Sequence, residues 1–197
     1  MGVYSRIVEF NDINSADEKW LWECAYGNLV NLDDVSNKRI VTKDDVEKSA
    51  KQIFGNSLVK EFPKEGLEFW LEPEEDGYFY ATASVEYDFY NEYEILSYEK
   101  NNDEVIVKLV EYKYNDIYLG EPTELNLYKQ NSDNIIKKYP INYSSNMRES
   151  YNEYAIHLED EAENFVKENV DLFSTATMVL EYDELTNSFY IKSFERQ

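Results

Sequence analysis

The chain has 197 residues, 41 of them acidic and 19 basic, giving a formal net charge of -22 at neutral pH. Repulsion on that scale argues against binding to bare nucleic acid or to an anionic membrane surface, and it leaves basic partners and cations open. The single cysteine, Cys24, excludes an internal disulfide and any paired-cysteine metal or redox motif, and no apolar run of about 18 residues is present to span a membrane.

The opening MGVYSRIVEFND lacks the apolar centre of a signal peptide, so the sequence as given is expected to behave as a soluble chain. Residues 1–39 read as an arm, with Val3, Ile7, Val8 and Phe10 available to pack, followed by a helix. Ser15 and Glu18 have the spacing of a capping box, which predicts a helix from Ala16 to Leu29. Trp20, Leu21, Cys24 and Ala25 define one face of it, and Trp22, Tyr26 and Leu29 widen that face, so burial on more than one side is expected. Asn31 to Arg39 is a polar connection. Thr42 is a second cap, Asp44 and Asp45 suit the first turn, Val46, Ala50 and Ile53 recur at helical spacing, and Gly55 is a left-handed stop. Helix two is therefore expected over Lys43 to Phe54.

Phe62, Pro63 and Gly66 mark a turn, after which the period becomes alternating. Leu67, Phe69 and Leu71 point one way, and Glu75-Asp76-Gly77 closes a hairpin onto Tyr78 to Val85. Tyr93 to Asp116 reads as two long strands joined at Asn101-Asn102-Asp103, residues that tolerate left-handed turns. From Val105 to Val110 both alternating faces are apolar, which places 104–115 at the middle of an antiparallel sheet with helices packed on at least part of one face. Thr123 to Tyr143 reads as an irregular excursion with at most one short strand. Met147, Tyr151, Tyr154, Ala155, Leu158, Ala162, Phe165, Val166 and Val170 then follow helical spacing, most clearly over Leu158 to Val170. Thr175 to Tyr182 and Phe189 to Phe194 close the chain as a hairpin. With no internal repeat, residues 1–197 read as one α+β domain with helices packed on a curved antiparallel sheet.

The segments VTKDDVEKSAKQIFG, DGYFYATAS and TATMVLEYDELTNSFYIKSFE, in that order around a Phe-Pro turn and a long hairpin, resemble extracytoplasmic proteins of low-GC Gram-positive bacteria. Many of those are lipoproteins with NTF2-like or cystatin-like soluble domains. The resemblance covers roughly residues 40–120 and 158–195 and implies an NTF2-like or cystatin-like fold in an exported domain. None of the matched segments is a catalytic signature, and the lipobox cysteine of the lipoproteins is absent from this sequence.

Candidate chemistry is sparse. His157 and Glu161 share a helix face as half of a zinc site, but a third ligand is missing from the motif, and a surface His-Glu pair explains the spacing as well. Cys24 and His157 supply the residue types of a thiol nucleophile and its base, yet a Trp-rich helix favours a buried, inert thiol. No nucleophile elbow, phosphate loop or EF-hand pattern occurs, so no cofactor is expected. Glu72, Glu74 and Glu92 lie near aromatic residues as glycosidases require, although acids are too abundant here for proximity to be informative. The aromatic run from Tyr78 to Tyr98 is the most distinctive feature. Sheet packing accounts for most of it, but Tyr87, Tyr90 and Tyr93 sit among Glu86, Asp88, Asn91 and Glu92. Exposed tyrosines with acidic neighbours suit a basic protein or peptide, or a sugar ring. The leading expectation is a non-enzymatic binding or interaction domain outside the cytoplasm. Two rivals are an acidic mimic of nucleic acid that inhibits a basic intracellular protein, and an enzyme with a pocket in an NTF2-like cup.

Overall fold

A computed structural model describes residues 7–29, 42–60, 71–74, 77–80, 89–115, 117, 123–144, 147, 150–184 and 187–197. These form α1 (Glu18–Leu29), α2 (Lys43–Phe54) and α3 (Tyr151–Glu168), with strands β1 (Leu71–Glu74), β2 (Gly77–Tyr80), β3 (Phe89–Asn101), β4 (Glu104–Asn115), β5 (Glu124–Lys129), β6 (Ile135–Pro140), β7 (Ser174–Asp183) and β8 (Ser188–Arg196). β1 and β2 make an antiparallel hairpin, Leu71 opposite Tyr80. The other six strands form an open antiparallel sheet in the order β6-β5-β4-β7-β8, with β3 also paired to β4. The fold is α+β, as the switch from helical to alternating period predicts. Contacts divide the chain into two compact units. The first is Met1–Val85, Glu99–Ile106 and Met178–Glu195, and the second is Glu86–Tyr98, Val107–Thr177 and Arg196–Gln197.

In the first unit, α1 buries Trp20, Leu21, Trp22, Cys24, Ala25 and Tyr26. Those residues spread over more than half of the helix circumference, so it is covered on more than one side, as its composition requires. Its cap differs from expectation. Ser15 belongs to a 3-10 turn (Ile13–Ser15) and its hydroxyl donates to the Asp12 carbonyl at 2.7 Å, while the carboxylate of Asp17 accepts the Trp20 amide at 2.9 Å. With the Ser15 hydroxyl engaged by Asp12, the carboxylate one residue before the helix takes the amide, and the helix starts two residues late. α2 has the expected bounds: Thr42 and Asp45 form a reciprocal capping box, and Gly55 ends the helix at φ 81°. The two helices are joined by Ser49, whose hydroxyl donates to the Ala25 carbonyl at 2.7 Å and accepts from Asn28 at 3.1 Å. Trp20 packs against Phe10 at 5.7 Å and Phe54 at 5.5 Å between ring centroids. Phe10 exchanges both backbone hydrogen bonds with Phe194, each 2.9 Å.

The second unit is built on β4 and α3. Val107, Leu109 and Val110 of β4 are buried, as expected for an interior strand. α3 begins at a capping box of Ser150 and Glu153 and lays Ala155, Leu158, Ala162 and Val166 against Val110, Tyr112, Leu125, Leu127 and Phe173. Glu124–Lys129 and Ile135–Pro140 are paired strands, where an irregular segment was expected. Leu125 and Leu127 alternate into the core, and the bulge between Leu127 and Tyr128 lets the pair absorb one extra residue. Among the described residues one charge is fully buried: Glu111, whose two carboxylate oxygens each accept a hydrogen bond from the Arg196 guanidinium at 2.8 Å. Gln197 ties the same chain end to β7, its amide donating to the Thr175 carbonyl at 2.9 Å and its side chain to the Thr177 hydroxyl at 3.0 Å.

Candidate functional site

The second unit contains a cleft of about 190 Å³. β3 supplies Glu92 and Glu94, β4 supplies Tyr112 and Tyr114, and α3 supplies Glu159, Asp160 and Glu163, with Leu125 and Ala162 completing the wall. The helix explains half of this. Ala155, Leu158, Ala162 and Val166 bind α3 to the sheet, so Glu159, Glu163 and Lys167, each four residues from the next, rise in one row along its flank.

Lys167 answers two of the five carboxylates. Its ammonium lies 3.0 Å from Glu94 and pairs with Glu163 as well, and those two hydrogen bonds raise its own pKa. Burial raises the pKa of Glu94, with Glu163 beside it acting in the same direction and Lys167 against. Glu92, exposed overall, is raised by partial desolvation at the cleft wall and by the charges of Glu94 and Glu163. The tyrosines respond in kind. Tyr112 and Tyr114 are held well above the usual phenol range by desolvation and by the surrounding glutamates, so both stay protonated. Tyr114 donates to Glu159 at 3.3 Å, and Tyr90 packs against Tyr114 in a tilted ring pair with centroids 5.3 Å apart.

Five carboxylates gathered on one cleft attract a cation through their charge, and Tyr112 and Tyr114 form part of the wall behind them. Volume decides what kind. The cleft holds the equivalent of about six waters at about 30 Å³ each, which suits an alkylammonium or guanidinium group and falls short of the roughly 300 Å³ at which drug-sized ligands begin. Among the described residues no group of three His, Cys, Asp or Glu converges closely enough to hold a metal ion.

Of the tyrosines singled out by sequence, Tyr90 backs the cleft through Tyr114, Tyr93 is half-buried on β3, and Tyr87 lies outside the described residues. Glu92 lines the cleft, whereas the side chains of Glu72 and Glu74 lie outside the described residues. His157 and Glu161 are both exposed on α3. Cys24 is buried and its thiol pushed up to about 12, chiefly by desolvation, which disfavours the thiolate a nucleophile needs. Sequence reasoning missed Glu94, Glu159, Asp160 and Glu163, although the four-residue row of Glu159, Glu163 and Lys167 was legible.

Comparison with protein-family models, with curated proteins and with solved structures finds no match for this chain. What defines the class is thus the molecule itself, an α+β protein with an acidic, tyrosine-walled cleft beside its long helix.

Proposed function

We propose that the chain is a non-enzymatic binding domain whose cleft receives a cationic group, an alkylammonium or guanidinium presented by a protein or peptide. The observation that carries this reading is the facing of Glu92 and Glu94 with Glu159 and Glu163 across Tyr112 and Tyr114 in a space of about 190 Å³. The same proposal takes the domain as extracytoplasmic and its fold as a relative of the NTF2-like or cystatin-like type. The sequence resemblance supports both, and the laying of α3 on an antiparallel sheet supports the fold. Among the described residues no helix is long and apolar enough to cross a membrane.

The test is titration with N-acetyl-lysine methylamide, N-acetyl-arginine methylamide and the isosteric norleucine amide, followed by ring resonances of Tyr112 and Tyr114. The basic amides bind with Kd on the order of millimolar, as groups of that size permit, and norleucine does not. Equal perturbation by all three overturns the reading. The raised pKa values of Glu92 and Glu94 favour one other reading, a carboxyl-pair hydrolase in which one of them serves as general acid. Turnover of any nitrophenyl glycoside that is lost in Glu92→Gln selects it.

A further inference from the structure

β3 does not stop at the cleft. Beyond Glu94 it carries Ile95, Leu96 and Tyr98, which are 61%, 37% and 72% exposed. Apolar side chains on both faces of a strand in water are unusual in a soluble protein, since exposed strand backbone flanked by them invites pairing. Among the described residues the strand that pairs with β3 is β4. Strand alternation puts Leu96 and Tyr98 on the face that carries Glu92 and Glu94, and Leu96 follows Glu94 by about 7 Å along the strand.

Resting on the cation-binding reading of the cleft, we propose that residues 92–98 of β3 dock an extended basic peptide by strand addition. The peptide places a lysine or arginine in the cleft and an apolar side chain, two residues away, over Leu96 and Tyr98. Charge selects the occupant. The patch is bordered by Glu92, Glu94 and Ser97, and a second copy of a chain carrying a net charge of -22 is repelled from it. A basic segment is attracted, and its backbone supplies the ladder hydrogen bonds while alternate side chains supply specificity.

The probe is an acetylated, amidated peptide Thr-Val-Thr-Lys-Thr-Val-Thr, whose lysine has a valine two places away in either direction. It is expected to bind at least tenfold more tightly than N-acetyl-lysine methylamide, with slowed hydrogen exchange at every second amide of residues 93–98, those that point away from β4. A strand pairs through one edge at a time. Of two further peptides, N-methylated at odd or at even positions, one is therefore expected to fall to the affinity of the amide and the other to keep that of the parent. Leu96→Ser and Tyr98→Ser weaken the peptide and leave the amide unchanged. Equal binding of the parent and both N-methylated peptides, or no gain over the amide, overturns strand addition while leaving the cleft reading standing. A norleucine-for-lysine peptide that binds as tightly as the parent overturns the cleft reading instead.

Discussion

Replacing Arg196 by alanine tests how the second unit tolerates its one fully buried carboxylate among the described residues. The Glu111 side chain has no exposure and the Arg196 side chain 14%, and the two share a bidentate contact of 2.8 Å at each oxygen. Arg196→Ala leaves a charge inside the sheet without that partner, and truncating one member of such a pair costs about 3–5 kcal/mol. The pair as a whole contributes much less, because its attraction is offset by the desolvation of both groups. Glu111→Met with Arg196→Met is therefore expected to recover most of the loss, and Arg196→Lys, which keeps the charge but not the fork, to fall between. Hydrogen exchange at the β4 amides under native conditions, with urea unfolding followed by far-UV circular dichroism, measures each variant. A loss below about 1 kcal/mol in Arg196→Ala, the range of exposed pairs, refutes the argument.

Three further outcomes are expected. Gly55→Ala is destabilising by about 2–4 kcal/mol in thermal melts, since φ is 81° and a Cβ there would stand 2.8 Å from the Tyr190 ring; an unchanged melt would show that the ring yields freely. Ser150→Ala costs α3 about 1 kcal/mol. Hydrogen bonds from Ser150 depress the pKa of Glu153, so the stabilisation it gives is present above its unfolded value and is lost as pH falls through the lowered folded value. Acid titrations of the wild type and Ser150→Ala converge at the bottom of that range, and parallel curves would contradict the linkage. In the cleft the sign is opposite. Glu92 and Glu94 are raised, so amine binding should switch on as pH rises, with a midpoint above the ordinary 4.5. A midpoint at or below that value contradicts the assigned burial.

How far the sequence foretold this structure depended on whether local signals agreed. α2 was legible residue by residue because Thr42, Asp45 and Gly55 all mark the same helix. At α1 three candidate caps, Asp12, Ser15 and Asp17, stand within six residues, and spacing alone does not rank them. β6 was illegible for a different reason. It is an end strand of the sheet, with Lys137 and Lys138 exposed and Pro140 at its end, and its core contacts, Ile136 and Tyr139, are three residues apart, so no alternation shows, while its charges serve to blunt the edge. The cleft was hidden by abundance. Glu92 and Glu94 are separated from Glu159 and Glu163 by more than sixty residues, and nothing local distinguishes them from the other acids of so acidic a chain. Glu111 reads in VEYKY as a polar-face residue, and only the return of Arg196 shows otherwise.

Lys167 already pairs with two of the cleft's carboxylates. An amine arriving between Glu94 and Glu163 exchanges with a tethered ammonium whose effective concentration is on the order of millimolar or higher. Such a built-in rival sets a threshold: small free amines at lower concentration lose the exchange, and a ligand wins it through contacts made elsewhere along its length. Selectivity for long ligands over short ones then follows from a single lysine on the helix flank.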